Sequence, residues 1–313
     1  MKQLIVIAGP TATGKTALGI LLAGKVNGEI VSADSMQIYR GMDIGTAKAT
    51  PEERAQVPHH MLDVADPGEN YSVSRYVEEA TEVCEALFRK GKQPIVVGGT
   101  GLYLDALIAG RRFAEAQPES EGLRKELSEA YDRLGGEAMW EHLRRVDPAR
   151  AEKLAPADRK RIVRALEVYE LTGQSITEHD EQSRKQPPAY RARYAVLCCS
   201  DRALLYRRIE ERVDRMCRDG LFEETERLLE QGIPDESTCM QAIGYRQAAM
   251  ALRGEITREE AAALIKQATR RYAKRQLTWF RRREDALWLE ADRMTTEEMA
   301  GRVLEAFGRE ESV

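Results

Sequence analysis

Gly9-Pro10-Thr11-Ala12-Thr13-Gly14-Lys15-Thr16 places two glycines, a lysine and a hydroxyl at the Gly-x-x-x-x-Gly-Lys-Thr spacing of a phosphate-binding loop. The glycines let the backbone curl until several N–H groups point at one anion. The helix expected to follow adds the partial positive charge of its N-terminus. In such a loop Lys15 reaches the outer phosphate and the Thr16 hydroxyl holds Mg²⁺. The spacing implies a diphosphate or triphosphate without saying which. Asp34 follows a second apolar run, at the strand end where ligands of open α/β sheets bind. A carboxylate there serves as general base, as a partner of Mg²⁺ through water, or as a helix cap. Gln37, three residues on, offers an amide able to read a base edge. Val97-Gly98-Gly99-Thr100-Gly101-Leu102-Tyr103 ends a further run in glycines and a neutral hydroxyl. An ATPase usually has an acid there, beside Mg²⁺, so the run counts against ATP hydrolysis. Its glycines fit close approach of a substrate, or equally a tight turn into a helix.

Five apolar runs would position these groups: Leu4–Ala8, Glu29–Ala33, a weaker His60–Val64, Pro94–Gly98 and Tyr194–Cys199. Helical patterns between them, such as Ser72–Lys90, predict an α/β fold, a P-loop-type parallel sheet flanked by helices. The fourth and fifth runs lie ~95 residues apart, beyond an ordinary crossover. The intervening segment is charged and helix-rich (Glu121–Leu134, Glu137–Arg145, Asp158–Leu171). It is bounded by Glu115-Ala116-Gln117-Pro118 and Gln186-Pro187-Pro188. It reads as a helical insertion domain over 113–190, with 1–112 and 191–313 forming the P-loop core. After the fifth run the chain reads as helical throughout, over Ala203–Arg218, Phe222–Gln231, Cys239–Arg253 and Arg258–Arg283.

The chain has 313 residues, a net charge of −4 and 42% hydrophobic residues, enough for a large core. It has no 18-residue apolar run, and Met1-Lys2-Gln3-Leu4 leads straight into the first strand, so neither a membrane span nor a signal peptide is expected. Five cysteines without a Cys-x-x-Cys fit a reducing cytoplasm, with Cys198 and Cys199 expected as buried thiols. Neither these cysteines nor the four histidines have zinc-ligand spacing.

The charge is unevenly spread. Arg270 to Arg283 holds seven Lys/Arg and no acid, interleaved with Tyr272, Trp279 and Phe280. Lys266, Arg270 and Lys274 recur every four residues and so share a helix face. Arg159-Lys160-Arg161 with Arg164 makes a second cluster. Two such patches fit a phosphate backbone; solvated surface is the other reading. In Ala203–Arg218, Leu205, Ile209, Val213 and Met216 form an apolar face beside a stripe of Arg208, Arg212 and Arg215. That stripe is either salt-bridged with Glu210, Glu211 and Asp214 or aimed at a phosphate.

Taken together these segments resemble the tRNA dimethylallyltransferases nearly end to end. The resemblance covers the P-loop, Asp34-Ser35-Met36-Gln37-Ile38-Tyr39-Arg40-Gly41-Met42-Asp43-Ile44-Gly45-Thr46-Ala47-Lys48 and Val97–Tyr103. It continues over Lys160-Arg161-Ile162-Val163-Arg164-Ala165-Leu166-Glu167, Ala242-Ile243-Gly244-Tyr245-Arg246-Gln247 and Lys274-Arg275-Gln276-Leu277-Thr278-Trp279-Phe280-Arg281. The P-loop is generic, whereas the Asp34–Lys48 block is specific. Ala49 stands where a proline is common and Gln241 where an arginine is frequent. The zinc-finger tail of eukaryotic members is missing, so the bacterial form is implied.

The resemblance implies transfer of a dimethylallyl group from dimethylallyl pyrophosphate to the exocyclic N6 of an adenosine beside the tRNA anticodon. The P-loop, Gly9 through Thr16, then holds pyrophosphate rather than ATP, with Mg²⁺ on Thr16 and with Arg212 in the clamp. Asp34 is the implied base, Thr100 bonds near the reacting nitrogen, and Gln37 helps read the adenine. Implied tRNA contacts are Asp34, Ser35, Met36, Gln37, Thr100 and Arg124, with Lys160, Arg161, Ile162, Val163 and Arg164 on the insertion. Gln241, Ala242, Ile243, Gly244, Tyr245 and Arg246 form a further group. Lys274, Arg275, Gln276, Leu277, Thr278, Trp279, Phe280 and Arg281 complete the set. A cytoplasmic monomer is expected.

Overall fold

The computed structural model describes residues 2–111, 119–185 and 187–308. The Glu115–Pro118 boundary and Gln186 lie outside them. The first half contains β1 (Gln3–Ala8), α1 (Lys15–Lys25), β2 (Gly28–Ser32), α2 (Pro51–Gln56), β3 (His59–His60), α3 (Val73–Arg89), β4 (Gln93–Gly98) and α4 (Gly101–Ala109). Next come α5 (Glu119–Leu134), α6 (Gly136–Val146), α7 (Pro148–Ala151), α8 (Arg159–Thr172) and α9 (Ile176–Lys185). The chain continues as β5 (Arg191–Cys198), α10 (Arg202–Asp219), α11 (Leu221–Glu230), α12 (Tyr245–Leu252), α13 (Arg258–Phe280), β6 (Leu287–Glu290) and α14 (Thr296–Gly308). Two compact units result, Met1–Ile108 with Ala189–Val313, and Ala109–Pro188.

The first unit is built on one parallel six-stranded sheet in the order β3-β2-β4-β1-β5-β6. Leu4, Ile5, Val6, Ile7 and Ala8 of β1 are all fully buried, as a central strand covered on both faces requires. One face packs Ile5, Ile7, Ile30, Ile95 and Leu197 against Leu18 and Leu22 of α1 and Met299 and Val303 of α14. Each such leucine contributes about 2 kcal/mol by leaving water. The second unit has its own core, formed by Met139, Leu143, Ala151, Leu154, Ile162, Ala165 and Leu166.

The register sets the site. Ala8 pairs with Gly98 and Ser32 with Val97, so the carboxyl ends of β1, β2 and β4 lie side by side. The loops that leave them carry the P-loop, Asp34 and Thr100.

Several expectations are corrected. The weak third run yields only a two-residue strand, His59–His60, because the chain then turns through Met61 and Asp63 at positive φ. The region after β5 is not wholly helical, since Leu287–Glu290 adds a sixth strand beside β5. The helix expected over Cys239–Arg253 begins only at Tyr245, after turns stabilised in part by the Ser237 hydroxyl, which accepts the Met240 N–H. Cys198 and Cys199 are half-buried rather than buried, because they lie at and just beyond the carboxyl end of β5, past its buried stretch Tyr194–Leu197.

Candidate active site

The P-loop curls through two left-handed residues, Ala12 at φ 65 and Gly14 at φ 87, before α1 begins at Lys15. A non-glycine in that region is strained, and such strain clusters at ligand-binding loops. The Thr13 hydroxyl and the Lys15 ammonium each donate to the Pro10 carbonyl at 2.8 Å, closing the loop on itself. Thr16 occupies the first turn of α1, half-buried.

Arg212 comes to this loop from α10. Leu205, Ile209 and Val213 bury the apolar face of that helix, which turns the arginine toward Lys15 and Asp34. Burial, followed by the charge of Arg212, lowers the Lys15 pKa to about 8, while Asp34 opposes the shift. Burial likewise lowers the Arg212 pKa, Asp34 raises it, and Arg215 lowers it again. Arg212 has no ion-pair partner among the described residues, so two crowded cations share one acid. Such a cluster is suited to an anion of more than one charge. The salt-bridged reading of the stripe fails for Arg212. Arg208 contacts the Ala291 carbonyl and Cys199 instead.

Asp34 uses one oxygen to accept the Met36 N–H at 2.9 Å, so the capping role is realised on that oxygen alone. The other oxygen has no hydrogen-bond partner among the described residues. Opposite, the Thr100 hydroxyl accepts the Ser35 N–H at 3.0 Å, and the Thr100 N–H donates to the Ala33 carbonyl at 3.2 Å. These bonds fix the Asp34 and Thr100 loops relative to each other. Gly98 is required here, because a Cβ on it would stand 2.1 Å from the Ala33 carbonyl oxygen.

Gln37 is less free than expected for a base reader. Its amide donates to the Thr46 and Ala47 carbonyls at 3.3 Å, and its oxygen accepts from Ser32 at 3.2 Å. The donors that would face an adenine are spent on the loop that follows. That loop is itself clamped: Glu224 of α11 accepts the N–H groups of Asp43, Ile44 and Gly45 and the Tyr245 hydroxyl. The buried Lys48 ammonium donates to Tyr39, Asp43 and Asp63, each at 2.7 Å.

Several residues expected at an RNA surface are buried. The side chains of Ile162, Val163, Ala242, Tyr245, Gln276 and Phe280 pack inside their helices' neighbourhoods and present nothing to a ligand outside. Trp279 donates its indole N–H to Asp105 at 2.9 Å. The stripe on α13 divides. Lys266 pairs with Asp214 and Arg270 with Glu210, both acids on α10, which removes them from a free cationic face. Lys274, Arg275, Thr278 and Arg281 are exposed, as are Gln241 and Arg246, while Ser35, Met36, Ile243, Gly244 and Leu277 range from half-buried to buried. In the second unit Lys160 and Arg161 are exposed, whereas Arg124 and Arg164 both pair with the fully buried Glu167.

Two residues near the site escaped the sequence reading. Tyr272 of α13 lies close enough for the charge of Asp34 to act on its phenol. Burial and that charge push its pKa up, while hydrogen bonds toward Thr100 and Gln276 oppose them. Its only signal was an aromatic inside the basic run, which equally suggested stacking. Glu224 gave no signal, because the backbone N–H groups it accepts lie about 180 residues away.

An IPP transferase family model matches residues 37–283, and an isopentenyl transferase model matches residues 2–65. The chain is 46% identical to a tRNA dimethylallyltransferase of Carboxydothermus hydrogenoformans over 98% of both chains. It is 47% identical to tRNA dimethylallyltransferase 1 of Pelobacter propionicus over 93% of both. Among solved structures it resembles the tRNA isopentenylpyrophosphate transferase of Bacillus halodurans, with TM-score 0.73 and 38% identity over 99% of this chain and 97% of that one. A eukaryotic dimethylallyltransferase solved acting on tRNA gives TM-score 0.80 and 30% identity over 99% of this chain and 79% of that one. With Lys15 of the P-loop and Arg212 of α10 both close to Asp34, and with matches of this length, the chain belongs to the IPP transferase family, among the tRNA dimethylallyltransferases.

Proposed function

We propose that this chain transfers the dimethylallyl group of dimethylallyl pyrophosphate to the exocyclic N6 of an adenosine beside the tRNA anticodon, giving N6-dimethylallyladenosine and pyrophosphate. The observation that carries this reading is the closeness of Lys15 and Arg212 to Asp34, with the Thr100 hydroxyl accepting the N–H of the adjacent Ser35. The allylic C–O bond breaks and its electron pair goes to the pyrophosphate. The P-loop N–H groups, Lys15 and Arg212 stabilise the charge that develops there. The N6 lone pair forms the new C–N bond, and the N6 proton passes to the free oxygen of Asp34. Thr100 orients the acceptor amine. A stacked base reaches this site only by flipping out, at a cost of a few kcal/mol. Once seated, it excludes water from the electron-poor allyl group.

The Thr16 hydroxyl in the first turn of α1 fits Mg²⁺, a hard cation that takes few protein ligands and completes its shell with phosphate and water. No group of three or more His, Cys, Asp or Glu that could hold a metal ion occurs among the described residues. When bound, the ion supplies charge neutralisation to the leaving pyrophosphate. Residues 1–112 and 191–313 form the catalytic body, and 113–190 a tRNA-contacting insertion through Lys160, Arg161, Arg124 and Arg164. The exposed Lys274, Arg275 and Arg281 grip the same RNA. The protein acts as a cytoplasmic monomer, with a sedimentation mass of 35.3 kDa expected. No helix among the described residues is long and apolar enough to cross a membrane.

The test is incubation with labelled dimethylallyl pyrophosphate and undermodified tRNA, AMP, ATP or buffer. Label in tRNA alone supports the proposal. Label in AMP makes the chain a nucleotide isopentenyltransferase, and phosphate release from ATP without donor makes it an ATPase.

A further inference from the structure

Gln276 sits on α13, about 180 residues from the nearest P-loop or β4 residue in the folded core, yet its side chain ends between them. It is only 5% exposed. Its amide oxygen accepts the Thr11 N–H of the P-loop at 3.1 Å, and its amide nitrogen donates to the Gly99 carbonyl at 3.0 Å. One planar group therefore spans the loop assigned to the leaving group and the turn that carries Thr100, using a donor on one side and an acceptor on the other. Residue 99 must be glycine for this, since a Cβ there would lie 2.2 Å from the Gln276 nitrogen. A charged or apolar residue of similar size cannot make both bonds. Tyr272, one helical turn earlier, adds a phenol directed toward Gln276 and Thr100.

We infer that Gln276 is a positioning residue that sets the spacing between the pyrophosphate loop and the Gly99–Thr100 turn, and so between leaving group and acceptor amine. It does not contact tRNA. This rests on the assignment of those two loops under the proposed transfer reaction. Alignment of reacting groups is where small displacements are most costly: an error of about 1 Å lowers rate by about a hundredfold without weakening binding correspondingly.

The experiment compares wild type with Gln276→Met, which keeps volume and removes both bonds, in steady-state transfer to tRNA. The expected result is a fall in kcat of about tenfold or more, with KM for tRNA within about twofold. A higher KM for tRNA with kcat intact would place Gln276 on the RNA surface and overturn the inference. Unchanged kinetics would overturn it as well. Gln276→Glu decides the matter should the first variant not fold. Its carboxyl accepts from Thr11 but donates to Gly99 only when protonated, so its kcat relative to wild type should climb as pH falls. A flat ratio contradicts the clamp. An active wild type with unaffected variants refutes the clamp alone, whereas an inactive wild type refutes the transfer reading beneath it.

Discussion

Lys15 and Arg212 are crowded together against a single carboxylate, Asp34. Burial, followed by the charge of Arg212, lowers the Lys15 pKa to about 8, below the usual lysine value. Under the proposed transfer reaction, Lys15 is charged below that pH and helps the loop hold pyrophosphate; as pH rises through about 8 it loses its proton and the affinity falls. Donor affinity measured by calorimetry should therefore weaken about tenfold between pH 7 and pH 9 in wild type, beyond any change in Lys15→Met. Parallel pH dependence in the two proteins would contradict this charge assignment. Asp34 makes a separate case. Asp34→Asn keeps an oxygen able to accept the Met36 N–H, so the loop should hold its shape and donor binding persist. Turnover should drop by about 10²–10⁴-fold, the usual worth of a positioned base. Near-normal turnover would leave Asp34 as a turn cap and nothing more.

Helices α10, α11 and α13 determine which of these residues can act together. Glu224 on α11 is 2% exposed and satisfies three successive backbone N–H groups of the Asp43–Gly45 loop. Glu224→Ala would leave those donors buried and unpaired, and should lower unfolding stability by about 3 kcal/mol in a denaturant titration. A loss under about 1 kcal/mol would mean that water replaces the carboxylate at little cost. On α13 the basic run divides by partner. Lys274 and Arg275 are exposed and have no ion-pair partner among the described residues, so replacing each by Ala should flatten the log–log salt dependence of tRNA affinity by about one unit. Arg161→Ala should act in the same sense. Arg270→Ala should change the slope much less, because its charge is already matched by Glu210. Slopes equal to that of wild type in all four variants would make the run ordinary solvated surface.

At the scale of the whole molecule, what the sequence made legible follows burial and range. β1, β2, β4 and β5 were readable because unbroken apolar runs are what a sheet covered on both faces demands. β6 was hidden: four residues at a sheet edge, three of them half-buried and only Leu289 fully buried, carry little periodic signal after a charged helix. The P-loop, Asp34 and Thr100 were legible because their roles are tied to strand ends and local spacing. Arg212 required the family resemblance, since its stripe allowed two readings. Tyr272, Glu224 and the inward turn of Gln276 depend on packing between segments far apart in the chain, which no local pattern encodes. The acidic net charge proved equally uninformative, because the acids Glu210, Asp214 and Glu167 neutralise particular cations rather than the surface as a whole. The central claim is that one cleft couples release of pyrophosphate to alkylation of an adenosine held in tRNA. The most direct measurement is nucleoside mass spectrometry of digested tRNA after reaction, read alongside pyrophosphate released in the same tube. Equal amounts of N6-dimethylallyladenosine and pyrophosphate, with neither formed when tRNA is omitted, is the predicted result. Steady pyrophosphate release without tRNA, or a dimethylallyl group on any other atom of the RNA, would contradict it.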